Sequence, residues 1–246
     1  MIINCYICTK IKHNNRPGQA SFRQAKKRKK TMKKSIITLV CSMFSVVAMA
    51  QMTVADAWKA MPDSILPYFN SQLRSEIIDM YKISHDSKTK NLLEGESSVK
   101  TLTDTLLCLQ LNPSTEMQLM LLPKTDSTNL ICMVRSFGTP TMESRITFYS
   151  TDWKKTEERF GLPDLTNAPL MLDMLTERPD TMNTEKFREV KKLIEPVMVS
   201  ANLHVEDNEP VISLSINSPL LTKEEYLRLN TIKKQKSFKW KGDKFK

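Results

Sequence analysis

The chain has 246 residues, with 37 Lys+Arg against 27 Asp+Glu and a net charge of +10, a balance that alone points to nucleic acid or an anionic surface. Its distribution removes that reading: residues 1–50 carry 11 of the basic residues and no acid, leaving 26 basic against 27 acidic residues in 51–246. Only five glycines occur, no two within 20 residues of each other, so neither a glycine-rich phosphate loop nor a G-x-S-x-G nucleophile elbow can be written.

The basic excess belongs to a leader. From Met32 the sequence reads Lys33 and Lys34, an apolar run from Ile36 to Val47, then Ala48-Met49-Ala50. Those are the three parts of a secretory signal peptide, cleaved after Ala50 so that the mature chain starts at Gln51. The apolar run is too short to span a bilayer. A lipid anchor at Cys41 is disfavoured by bulky Val40 before it and by the apolar run continuing past it. Residues 1–31 then read as an over-extended gene start. Cys5, Cys8 and His13 supply three ligands where structural zinc needs four, and the Lys26–Lys30 run has no folded scaffold beside it. The expected location is the periplasm or cell envelope. Cys108 and Cys132 alone remain after cleavage, so the fold depends on an apolar core rather than a disulfide framework.

In chain order, Thr53 caps a short helix to about Met61, and Pro62 and Pro67 break the path. A second helix runs from Asn70 or Ser71 to about Ile83, with Leu73, Ile77, Met80 and Tyr81 at helical spacing. Residues 84–98 are polar and read as a loop or ragged edge strand. The period then changes to strands at 99–103, 105–111, 116–122, 128–136 and 142–150, separated by turn-forming residues and read as an antiparallel meander. A meander puts the Cys108 and Cys132 strands two spacings apart, about 9–10 Å, beyond disulfide reach.

Asp152 is expected to open a short charged helix ending near Gly161. Pro163, Pro169 and Pro179 punctuate the next stretch, whose Leu170–Leu175 cluster must pack on something although the segment reads as a linker. Asn183 or Thr184 caps a helix bearing Phe187, Val190, Leu193 and Ile194 on one face. Val199, Ala201 and Leu203 then alternate with Ser200, Asn202 and His204, and Ile212, Leu214 and Ile216 with Ser213 and Ser215. A two-residue turn at Asp207–Asn208 sets Leu203 opposite Ile212, Ala201 opposite Leu214 and Val199 opposite Ile216. That register makes one face wholly apolar; a one-residue slip would mix the faces. Thr222-Lys223-Glu224-Glu225 is a capping box opening another helix, and 237–241 closes the chain as a strand. The class is α+β, helices packed on antiparallel sheet (a meander plus a C-terminal hairpin and final strand), with 51–150 and 151–246 as candidate helix-then-sheet halves.

Chemistry is sparse. With only His85 and His204 in the mature chain, histidine-rich metal sites and proton relays are excluded, and no cofactor motif or metal site is expected. Glu157–Glu158, Glu224–Glu225 and the acids of 206–209 read as solvated surface, without calcium-loop spacing. The most site-like surface is the polar hairpin face, Ser200, Asn202, His204, Ser213 and Ser215, short donors and acceptors suited to a sugar or a peptide edge. A second candidate is the segment 233–246, seven lysines against Asp243 with Phe238, Trp240 and Phe245 interleaved. Lys239 and Trp240 are its representatives as an anionic-surface patch. The competing reading is an edge strand with aromatics inward and lysines blocking association.

Residues 52–62, MTVADAWKAMP, and 73–81, LRSEIIDMY, together with the leader, resemble an uncharacterised domain-of-unknown-function family of secreted Bacteroidales proteins. The resemblance covers essentially the whole mature chain. It implies a Gram-negative envelope setting and transfers no activity or functional residue. The expectation is a non-catalytic binding or protein-interaction module for an envelope protein or glycan, with no nucleic-acid partner and no transmembrane segment in the mature chain. The alternative is a hydrolase of envelope polymers whose carboxylates meet only in space.

Overall fold

The computed structural model describes residues 52–85, 87–139, 141–219 and 221–246. The leader readings, including Cys5, Cys8, His13, Cys41 and the Ala50–Gln51 junction, lie outside the described residues. Helix α1 (Val54–Ala60) starts where expected, because Thr53 and Asp56 satisfy each other's backbone N–H groups in a capping box. Helix α2 (Ser71–Ser84) is capped by the Asn70 side chain, which accepts from the Leu73 N–H.

A seven-stranded antiparallel meander follows in strict chain order: β1 (Lys88–Lys90), β2 (Glu96–Leu102), β3 (Leu106–Asn112), β4 (Thr115–Pro123), β5 (Asn129–Phe137), β6 (Glu143–Ser150) and β7 (Lys155–Thr156). The polar stretch before it does contain an edge strand. Ser97, fully buried, donates to the Leu111 carbonyl at 2.7 Å and so carries β2 three residues beyond the start that periodicity gives. Cys108 on β3 and Cys132 on β5 are free thiols with β4 between them.

Two expectations fail in the middle of the chain. The helix expected from Asp152 is instead a turn followed by β7. Trp153 takes φ +60°, its N–H donates to the Ser150 carbonyl, and its indole Nε1 reaches the Ala57 carbonyl at 3.1 Å. Burying that ring against α1 outweighs the helical preference of the charged residues after it. The Leu/Met cluster does pack into the core, with Met171 and Leu175 fully buried, but it does so as a helix, α3 (Ala168–Leu175), rather than as a linker. Asn167 caps it, and Pro169 sits in its first turn, where a missing N–H costs nothing.

The remaining elements are α4 (Thr184–Lys192), β8 (Met198–Glu206), β9 (Glu209–Asn217), α5 (Lys223–Asn230) and β10 (Lys236–Lys239). The hairpin has the expected register, Val199 opposite Ile216 through Leu203 opposite Ile212. Asp207 and Asn208 take φ of +51° and +63°, the two left-handed positions that a two-residue turn demands. β10 adds to β9, giving a second antiparallel sheet in the order β10-β9-β8.

Residues from Met52 onward form one compact unit with two hydrophobic clusters, one on each face of the large sheet. Leu107, Leu109, Met117, Leu119, Ile131 and Met133 face α1 and α2. Their neighbours Leu106, Met120, Leu122, Cys132 and Val134 face the small sheet and α3–α5. Between α1 and α2, Arg74 is 1% exposed and donates to the carbonyls of Met61 and Phe69 while pairing with Asp63 at 2.8 Å.

The two sheets are joined by polar contacts as well. β8 is an edge strand, yet its outward N–H groups are satisfied by side chains of the large sheet. Ala201 N–H donates to Ser144 Oγ at 2.9 Å and Leu203 N–H to Gln118 Oε1 at 2.7 Å. Ser144→Ala leaves the buried Ala201 donor without an acceptor and is expected to destabilise the protein by about 1–3 kcal/mol. A urea midpoint equal to that of the parent would show that this contact holds nothing.

Candidate functional site

The polar face of the small sheet assembles as its alternation requires, but its groups are largely spent on one another. Ser200 and Ser215 hydroxyls lie 2.8 Å apart, Asn217 Nδ2 donates to Ser200 Oγ at 3.0 Å, and Ser213 bonds Ser237 at 2.8 Å. Ser213 is buried. Asn202 is exposed, yet its Oδ1 accepts from Gln118 Nε2 at 2.8 Å. His204 is half-buried, and its Nδ1 is a buried ring nitrogen without a hydrogen-bond partner. Across Val211 from it stands Lys239, paired with Glu206 at 3.0 Å and Asp207 at 3.5 Å. The hydrogen bond to Glu206 raises the pKa of Lys239.

Trp240 is not on that surface. It is 3% exposed, donates from Nε1 to the Pro123 carbonyl at 2.6 Å, and packs against Phe160 and Phe245 at centroid distances of 6.0 and 5.1 Å. Three of the seven lysines in this segment have acid partners: besides Lys239, Lys241 pairs with Glu209 at 2.5 Å and Lys234 with Glu177 at 2.8 Å. The acids of the hairpin turn, read from sequence as loop solvation, thus pair with two of the C-terminal lysines, Lys239 and Lys241.

A second location was not visible in the sequence. A cleft of about 900 Å³ runs along β6. β7 pairs with β6 only at Phe148 and Tyr149. After Thr156 the chain leaves the sheet so that Phe160 and Leu162 can enter the core. Among the described residues no strand therefore covers the outer edge of β6 from Glu143 to Thr147. Because hydrogen-bonding directions alternate along a strand, the backbone groups of Ser144 and Ile146 face that open side, as those of Phe148 face β7.

The cleft has two unlike walls. Ile146, Phe148, Leu162 and Val199 line one side; Arg135, Arg145, Thr147 and Tyr149 line the other. Arg135 and Arg145 are directly paired across β5 and β6. Like charges in that relation repel. The ion-paired arginines are Arg74 and Arg159, and neither member of the cross-strand pair has an acid partner among the described residues. Arg135 lies 5.2 Å from the Phe137 ring centroid, and its Nε is buried without a hydrogen-bond partner. Burial raises the Tyr149 pKa, against the pull of Lys155 and Arg135. Asp164, on the rim, is held below the usual carboxylate range by the Thr166 hydroxyl and amide, and pairs with Arg159 at 2.7 Å.

The two arginines stand ten positions apart in the chain and meet only through the β5–β6 register. A basic residue in each of two adjacent strands of the expected meander was the available signal. Among the described residues, no three His, Cys, Asp or Glu side chains gather as metal ligands, and no helix is long and apolar enough to cross a membrane.

The placement of the two C-terminal candidates is separable by stability. Trp240→Ala is expected to cost about 3–5 kcal/mol, whereas Lys239→Ala is expected to leave the denaturation midpoint nearly unmoved. Equal, small effects in a urea titration would contradict the buried placement of the indole.

The solved structure of a domain of an uncharacterized protein from Porphyromonas gingivalis W83 is similar in fold, with a TM-score of 0.59 at 20% identity over 78% of this chain and 96% of that one. No curated protein matches the chain. The family model described as "Protein of unknown function (DUF3256)" matches residues 45–245, spanning both sheets and every helix described above, and the chain therefore belongs to that family.

Proposed function

We propose that the chain is a non-catalytic binding module of an exported protein, and that its ligand lies along the outer edge of β6. The observation that carries this reading is the open strand edge inside a cleft, between an apolar wall and a polar one that bears Arg135 and Arg145 beside Glu143. A strand edge offers a row of unpaired backbone donors and acceptors and takes up an extended segment readily. Export is supported by the three-part leader and by the start of the compact unit at Met52, directly after the expected Ala50–Gln51 junction.

The polar hairpin face is the weaker candidate, since its serines already satisfy one another. Hydrolysis is also less well supported. Four carboxylates line the cleft, Glu143, Glu157, Glu158 and Asp164; Glu157 is tied to Lys155 at 2.7 Å and Asp164 is shifted downward. A general acid needs the opposite displacement, upward toward the working pH.

Two measurements test the reading. Fractionation followed by N-terminal sequencing is expected to find a processed form starting at Gln51 outside the cytoplasm; a full-length cytoplasmic protein would overturn the export reading. Photo-cross-linking in the producing cells, from a reactive residue at Glu143 and from a control at Lys100, is expected to give one recurring cross-linked peptide at Glu143 alone. Equal capture from both positions would remove β6 as the binding edge.

A further inference from the structure

Resting on that reading of the β6 edge, we infer that the segment it receives is an acidic, strand-forming peptide, whose carboxylates engage Arg145 and Arg135. A strand added beside β6 sends alternate side chains to opposite sides. On one side they meet Ile146, Leu162 and Val199; on the other they meet Arg145 directly, with Arg135 one strand further in. The cleft thus specifies a peptide with apolar residues at one parity and acids at the other.

The electrostatics favour that occupant. Arg135 and Arg145 are register partners across β5 and β6, a placement of like charges that is unfavourable in the free protein. Glu143, next along the same side of β6, makes no ion pair with either. Lys155, on the same cleft, is already bonded to Glu157. A carboxylate between Arg135 and Arg145 relieves the repulsion and can accept the paired N–H groups of a guanidinium fork. It would also supply the acceptor missing from the buried Nε of Arg135.

The geometry at Arg145 is specific. On the outer side of β6 the hydrogen-bonded positions are Ser144, Ile146 and Phe148, so Arg145 stands at a non-hydrogen-bonded position, where facing side chains approach most closely. β7, had it continued in register, would have placed Arg159 there, a third cation. The chain instead turns away and ties Arg159 to Asp164.

The test uses the protein as isolated and three blocked seven-residue probes: alternating valine and glutamate, its glutamine counterpart, and the glutamate peptide N-methylated at its valines, whose N–H groups face β6. An oligogalacturonate and inorganic phosphate serve as a glycan and a free anion. Titration by calorimetry, with amide NMR shifts of Ser144 and Ile146 as the site readout, is expected to show the glutamate peptide binding about tenfold tighter than the glutamine one. N-methylation is expected to abolish binding. The double variant Arg135→Gln, Arg145→Gln is expected to bind both unmethylated peptides alike. Should it not fold, Arg145→Lys is expected to keep the charge preference at reduced strength. Glutamate and glutamine peptides binding the parent equally, with shifts at β6, would overturn the acidic preference and leave the edge reading intact. Undiminished binding of the N-methylated peptide, or binding of the galacturonate or phosphate alone, would overturn both.

Discussion

Everything in this fold follows from the central strands of the large sheet being buried on both faces. Antiparallel sheets commonly keep one face in water and read as an alternation of apolar and polar residues. Here Leu119 to Leu122 and Leu130 to Val134 are continuous apolar runs, because each successive side chain enters a different core. One layer cannot cover such a sheet. The N-terminal helices occupy one side and the small sheet with α3–α5 the other. Neither covering layer has an alternative place to bury its own apolar face.

Double burial also explains why the covering layer is keyed to the sheet by polar contacts. Apolar area is non-directional and permits sliding. Gln118 and Ser144, each placed in a sheet otherwise lined with Leu, Met and Val, accept from N–H groups two residues apart on β8 and thereby fix its position along the strands. Val199, just before the first of these contacts, becomes a wall of the cleft. The shape of the β6 groove is consequently set by hydrogen bonds made outside it.

Locally encoded features were legible in the sequence. Thr53, Asn70, Asn183 and Thr222 announce their helices through caps, and the two polar turn residues Asp207 and Asn208 fix a hairpin register that its own alternation confirms. What could not be read were the outcomes of distant packing. β7 exists because Trp153 is drawn toward Ala57, 96 residues earlier, and α3 forms where three prolines suggested irregular chain. The alternation of the hairpin was legible, yet nothing in alternation reveals that Ser213 would be buried and claimed by Ser237 of β10. The arginine pair was missed for the same reason, since a cleft is made by a strand that stops early.

The position of Cys132 gives this protein a built-in clock. Its thiol lies in the core on the interior strand β5, and burial pushes its pKa far above the range in which a reactive thiolate exists. Cys108, two strands away, is half-buried and its pKa is raised less completely, with Gln118 as a partner. The two sulfurs therefore sample different events. Alkylation of Cys108 follows local fluctuation at the joint with β8, while alkylation of Cys132 waits for the whole sheet to open, so that one time course records both the breathing of the interface and the lifetime of the fold.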